Sequence, residues 1–102
     1  MNIAKLMKQA QKVQGDVARV QAEVALIEKT FSVGGGAVQA TARGDNTVTK
    51  IKIDPAAVNP NDAEALEDMI VSAVNGALAE VKKEADAKLS AVTAGLNIPG
   101  LT

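Results

Sequence analysis

The chain has 102 residues, 47% of them apolar, a formal net charge of −1, one aromatic residue (Phe31), no cysteine and no histidine. That length bounds it to one domain. Without Cys or His there are no disulfides, no thiolate or imidazole metal ligands, no thiolate nucleophile and no histidine general base. Much of the apolar content is Ala and Val. A monomer would therefore have a thin core, and oligomerisation is the natural way to bury more. Met1 leads straight into a charged amphipathic pattern, and no apolar run approaches the length of a membrane span. Neither a signal peptide nor a membrane partner is expected, and the lack of Cys is compatible with the cytoplasm.

Ile3, Leu6, Ala10, Val13, Val17, Val20, Val24 and Ile27 recur at alternating steps of three and four. This is a heptad seam, and it predicts a helix over about residues 2–29 with one partner-facing edge. Asn2 is its expected N-cap. With Ile3 at position a, Lys5, Lys12 and Arg19 fall at c and Lys8 at f, on the opposite face. About 27 residues make a rod of roughly 40 Å. A compact domain of this size has a radius of gyration of only about 13 Å. Such a rod protrudes or is covered by a second chain. Gly15, at an exposed f position, costs about 1 kcal/mol relative to Ala. Ala10 and Gly15 interrupt the large apolar character and favour a short bundle or dimer seam over a long coiled coil.

Three strands are expected next, over about residues 30–33, 37–43 and 47–53. Gly34-Gly35-Gly36 separates the first two. Gly44-Asp45-Asn46 forms a hairpin turn between the second and third. Alternation in the third strand places Thr49, Ile51 and Ile53 on one face and Val48, Lys50 and Lys52 on the other. Asp54-Pro55 ends it. A second helix is predicted over about residues 62–92, with Asn61 as N-cap and Glu64 completing a capping box. Leu66, Ile70, Val74, Leu78, Val81, Ala85 and Leu89 form its apolar stripe. Ala73, Gly76 and Ala77 would let another helix approach closely. The tail, residues 93–102, cannot stay helical past Pro99 and is apolar enough to dock somewhere. The fold class is α+β: a long N-terminal helix, a three-stranded antiparallel sheet and a long C-terminal helix.

Catalytic chemistry finds no support. Ser32, Ser72 and Ser90 have no histidine to activate them, and Glu67 and Asp68 read as a solvated helix face. Asp45 and Asp54 belong to no spaced cluster of oxygen ligands. The glycine triplet precedes a strand rather than a helix, so it is a turn and not a phosphate loop. No enzyme activity, cofactor or metal is expected.

The lysine row is the informative feature. From spacing alone a solubilising helix face is the simpler reading. Two details shift it. Residues 1–15 carry Lys5, Lys8 and Lys12 with no acid, and Gln9, Gln11 and Gln14 fill the gaps, whereas solubilising faces usually mix signs. The chain is also polarised: residues 1–54 hold eight Lys/Arg against five Asp/Glu, and residues 55–102 hold three against seven. Cations without local anions leave a field that engages phosphates. Lys82, Lys83 and Lys88 lie among acids, and Lys50 and Lys52 are explained by edge protection. With one aromatic there is no platform for stacking bases. With only Arg19 and Arg43, bidentate reading of guanine is scarcely available. Phosphate contact on duplex DNA remains.

The sequence resembles the YbaB/EbfC family of bacterial nucleoid-associated proteins. The likeness rests on the opening Met1-Asn2-Ile3-Ala4-Lys5-Leu6-Met7-Lys8-Gln9-Ala10-Gln11-Lys12, the Gly34-Gly35-Gly36 turn and Ile51-Lys52-Ile53-Asp54-Pro55. It continues in Leu66-Glu67-Asp68-Met69-Ile70, Ala73-Val74-Asn75 and Gly95-Leu96-Asn97-Ile98-Pro99-Gly100-Leu101. Gly15, within the helix, and Val13, where a Met would be typical, depart from the pattern. The resemblance implies one domain over residues 1–102 and a homodimer with helical arms projecting from a central sheet. It also implies double-stranded DNA as partner, at low sequence preference, in the cytoplasm and nucleoid. The heptad phase, rather than the family, assigns the DNA contacts to Lys5, Lys8, Lys12 and, more weakly, Arg19. Four cations per protomer give at most about eight phosphate contacts and a salt slope of roughly −7. The alternative is a protein-interaction module whose arms clasp an unidentified protein partner, favoured by the near-neutral charge and the apolar tail.

Overall fold

The computed structural model describes residues 2–94. The chain runs α1 (Ile3–Ala25), β1 (Glu28–Val33), β2 (Val38–Arg43), β3 (Val48–Ile53), a short 3-10 turn (Pro55–Ala57) and α2 (Ala63–Ala94). This is the expected α+β order, two long helices around a small antiparallel sheet. The expected docking of the tail concerns residues that, from 95 onward, lie outside those described.

α1 starts where its cap predicts: the Asn2 side chain accepts from the Lys5 N–H at 3.3 Å. It ends at Ala25, four residues earlier than the seam suggests. Ile27 turns into the core instead, and Glu28 opens β1 opposite Arg43. The backbone carbonyl of Ile27 accepts from the Gly44 N–H at 2.9 Å, so the helix exit is tied to the second hairpin. No glycine or proline marks this stop; tertiary pairing overrides a run that is locally helical. At α2 the expected capping box is replaced. Asp62, not Asn61, is the cap, with its side chain accepting from the Ala65 N–H at 3.2 Å, and the third helical position is then Ala65 rather than a glutamate.

The sheet is a meander in the order β1-β2-β3. Gly34, Gly35 and Gly36 all have positive φ, a backbone that side-chain-bearing residues rarely adopt, and they close the first hairpin. In the second, Asn46 holds φ 65° and Asp45 accepts from both the N–H and the hydroxyl of Thr47. Pairing fixes the faces, since directly opposed residues point the same way. Lys29, Phe31 and Val33 oppose Ala42, Ala40 and Val38. Val38, Ala40 and Ala42 in turn oppose Ile53, Ile51 and Val48. A register shift lies between Thr41 and Ala42, which oppose Lys50 and Val48 and leave Thr49 as an extra residue. This bulge corrects the simple alternation. Val48 shares the apolar face with Ile51 and Ile53 although it is an odd number of residues from both. The other face carries Thr30, Ser32, Gln39, Thr41, Lys50 and Lys52; the hydroxyls of Thr30 and Thr41 bond at 2.8 Å.

α2 lies across the apolar face, over β1 and β2, and barely reaches β3. Ala73 and Ala77 are fully buried with Val38, Ala40, Ala42, Val81 and Ile27. The small residues of α2 therefore admit the sheet rather than another helix. A Cβ on Gly76 would fall 2.2 Å from the Phe31 ring, so the single aromatic sits directly against that glycine. Beyond the sheet, α2 packs on α1. Besides the exposed Leu26, Val58, Val71 and Leu89, coverage fails on β3 and on α1. On β3, Val48 and Ile51 stay 38% and 42% exposed. On α1, every residue from 3 to 12 is exposed. The molecule is accordingly long, 72 × 23 × 17 Å, with a radius of gyration of 20.2 Å.

Candidate nucleic-acid interface

The uncovered part of α1 carries the lysines. Ten residues at 1.5 Å each make an arm of about 15 Å standing clear of the rest. At 100° per residue, Lys5, Lys8, Lys12 and Arg19 fall within about 60° of arc. They point away from the side where Val20 and Val24 meet the core. Lys5 and Lys8 also border a shallow open hollow with Asn2 and Ala4 at the start of the helix. The first turn contains no acid. Lys5 therefore adds to the positive pole of the helix dipole, where a carboxylate would stabilise the helix and a cation costs a few tenths of a kcal/mol. A helix serving only its own stability has no use for that placement.

Ion pairing sorts the cations. Among the described residues no carboxylate lies within 4.0 Å of the Lys5, Lys8 or Lys12 ammonium, whereas Arg19, Lys29, Arg43, Lys82 and Lys88 are all paired. Arg19 bonds Glu23 at 3.0 Å and lies 3.9 Å from Asp16. The structure thus gathers the three lysines and separates Arg19 from them electrically: it shares their face but sits between two anions. The signal was present in the sequence, because acids at i−3 and i+4 meet a helical arginine. Lys29 to Glu84 at 3.2 Å and Lys88 to Glu23 at 3.9 Å tie α2 to β1 and α1, so those cations serve the scaffold. Lys50, Lys52 and Lys83 are unpaired among the described residues. Lys50 and Lys52 stand on the polar sheet face beside threonine hydroxyls. Their number is small and their face is otherwise neutral, which fits a solvated surface.

Among the described residues no group of three or more Asp/Glu could hold a metal, and no helix is long and apolar enough to cross a membrane. The Asp45 carboxyl is held below the usual carboxylate range by the Thr47 hydroxyl and then the Thr47 N–H. That is turn chemistry. What the arm offers is a patch of unneutralised positive charge on a narrow rod, a shape and charge suited to the phosphate backbone of a duplex.

Comparison with known proteins places the chain in the same class. The YbaB/EbfC DNA-binding family matches over residues 1–96, and the chain belongs to that family, one of DNA-binding proteins rather than enzymes. It is 47% identical over 100 residues to a nucleoid-associated protein of Clostridium acetobutylicum, covering 98% of this chain and 89% of that one. It is 48% identical over 103 residues to a nucleoid-associated protein of Acetivibrio thermocellus, covering 98% and 89%. A nucleoid-associated protein of Pelotomaculum thermopropionicum is 42% identical, covering 98% and 95%. An uncharacterized protein of Helicobacter pylori has the same fold, with a TM-score of 0.68 at 20% identity over 85% of this chain and 91% of that one.

Proposed function

We propose that residues 1–102 act as one domain that forms a homodimer and binds duplex DNA in the bacterial nucleoid. Binding is through phosphate contacts from the α1 arms, with little sequence preference, and serves nucleoid organisation and gene regulation. The observation that carries this reading is the exposed helical arm bearing Lys5, Lys8 and Lys12 with no carboxylate of the described residues beside them. Arg19, held by Asp16 and Glu23, contributes less than its position suggests.

Surface area supports the dimer. A compact monomer of 10.4 kDa exposes about 5,400 Å² by size scaling, and this chain exposes 7384 Å². The excess of about 2,000 Å² exceeds the roughly 800 Å² that each partner buries in a standard interface. The half-covered apolar strip on β3 is the natural seam, because it is contiguous with the core and lies on an edge strand of the sheet, the kind of edge that offers ladder groups to a second chain.

The test is anisotropy or gel shift on two unrelated duplexes across a salt series. Three lysines per protomer give six contacts per dimer and a slope of about −5, with similar affinity for both duplexes. Lys5→Glu/Lys8→Glu/Lys12→Glu should abolish binding with helicity intact by circular dichroism, while Arg19→Ala should shift the slope by less than about 1. A triple variant that binds like the parent would sink the proposal. Absence of duplex binding at about 0.15 M salt, where the Debye length is about 8 Å, together with a stable protein partner, would instead establish the interaction module.

A further inference from the structure

The apolar seam of α1 is covered along only part of its length. Glu84 meets Lys29 and Lys88 meets Glu23, so α2 runs antiparallel to α1. Six residues past Lys88, the last residue of α2, Ala94, stands at about the level of Val17. The stripe continues beyond that level as Val13, Ala10, Met7, Leu6 and Ile3. Of these, Leu6, Met7 and Ile3 are 50%, 61% and 69% exposed. We propose that this bare stripe pairs, antiparallel, with the same stripe of a second copy of the chain, forming a two-helix rod. The contact is distinct from the strip on β3 and does not depend on DNA.

The stripe is complementary to its own reverse. Ile3 and Ala10 hold heptad position a, and Leu6 and Val13 hold d. When two arms run in opposite directions with residue 8 at the centre, Ile3 faces Val13 of the second copy and Leu6 faces its Ala10. Symmetry repeats both layers. The largest side chain of the inner layers thus meets the one small residue of the stripe, which lets the helices approach closely. A parallel pair would set Ala10 on Ala10 and leave a cavity between them. It would also bring two positive helix ends together. A foreign helix would need none of this reverse symmetry. Charge permits the contact as well. From Asn2 to Gln14 the positions flanking the stripe are Asn2, Met7, Gln9 and Gln14, all uncharged. Lys5, Lys8 and Lys12 point outward. Packed helix axes lie about 8–10 Å apart and each helix is about 10–12 Å across. The two lysine rows are then about 20 Å apart, more than twice the Debye length of about 8 Å at 0.15 M salt. Their repulsion is screened, and both rows stay open on opposite faces of the rod. Five side chains per copy fall well short of the about 20–30 residues a side of a standard interface, so the pairing is weak and depends on concentration.

Cysteine trapping in the full chain tests this, since the sequence has no cysteine to compete. Ile3→Cys and Val13→Cys are made as separate single variants of distinguishable mass. In either variant alone, the two thiols of an antiparallel pair stand about 15 Å apart along the axis, whereas bridged Cα atoms lie within about 7 Å. In the mixture, the thiol at position 3 faces the thiol at position 13. Under mild oxidation only the mixture should give a covalent pair of chains. Ile3→Cys mixed with Lys12→Cys, whose thiol is on the outer face, should give none. No bond in the mixture, equal bonding in an unmixed variant, or equal bonding with Lys12→Cys overturns the proposal. Ile51→Glu separates this contact from the β3 strip: the mixed bond should persist in that background, and its loss overturns an independent contact. As a second measurement, the sedimenting mass of the parent should rise as the concentration goes from micromolar to roughly millimolar, and that of Ile3→Ser/Leu6→Ser should rise less. An equal rise in the double variant also overturns it.

Discussion

Single residues set the closest approaches in this fold. A Cβ on Gly44 would stand 1.5 Å from the Val24 carbonyl oxygen. The obstacle is backbone, so no rotamer change relieves it. Gly44→Ala must push the end of α1 off the second hairpin, and an overpacking cost of about 3 kcal/mol is expected in thermal or urea unfolding. A variant as stable as the parent would show that the α1 exit is not clamped there. Asp45, one residue on, gives a pH signature. Its folded pKa lies below the usual value because Thr47 donates to the carboxylate. A depressed pKa contributes stability above the unfolded value, near 4, that is lost as pH falls through the folded value. The second hairpin should therefore loosen below about pH 4, seen as NMR shifts at Thr47 that track the Asp45 carboxyl, and Asp45→Asn should remove that dependence. A carboxyl titrating at the ordinary value would contradict the bonding. The turn residues themselves were readable from Gly44-Asp45-Asn46. The clash under Gly44 was not, because it depends on a helix end twenty residues away in sequence.

At the scale of elements, the helices were legible in type from their apolar period, and Asn2 caps α1 as its side chain requires. One local signal misled: Asp62, not Asn61, caps α2. The other failures involved partners remote in sequence. α1 stops at Ala25 because Glu28 must pair with Arg43, and nothing in residues 21–29 records that demand. The bulge at Thr49 is likewise invisible to alternation, since its cause is the register with β2. Of the site, the lysine face was readable from the heptad phase; Arg19's neutralisation by Asp16 and Glu23 was readable too, from helix spacing, but needed the acids to be weighed with the base. Gly15 supplies the prediction for this scale. Apart from its chain neighbours and the adjacent helix backbone, no atom of the described residues lies within 4 Å of where its Cβ would be, and it sits inside a helix. Gly15→Ala should stabilise by about 1 kcal/mol, a rise of about 4–8 °C in Tm for a chain this size. A fall in Tm would mean that a second chain packs closely on that glycine.

For the whole molecule the deciding quantity is uncovered area. α2 shields β1 and β2 but leaves Val48 and Ile51 on β3 open. If a second copy covers them, sedimentation should give about 21 kDa, twice the 10.4 kDa chain mass, at micromolar concentration. Ile51→Glu should then yield monomers of near-parent helicity, because Ile51 is already partly solvated in the protomer and its change costs the isolated fold little. A dimer unaffected by Ile51→Glu would move the seam elsewhere.

One end of α1 is anchored and the other is free. Packing by α2 holds it from about Val17 onward, and Lys5 lies 12 residues, about 18 Å, beyond that support. The arm is thus a lever. A tilt of about 10° about the support swings Lys5 through about 3 Å, close to the 3.4 Å interval between successive charges along one DNA strand. Gly15 lies beside this fulcrum, where a residue without a side chain makes bending easiest. If the lysines bind DNA as proposed, leverage of this kind would let them meet phosphates on duplexes of differing groove width, and tolerance of DNA geometry would be a mechanical property of the arm rather than a looseness of its chemistry.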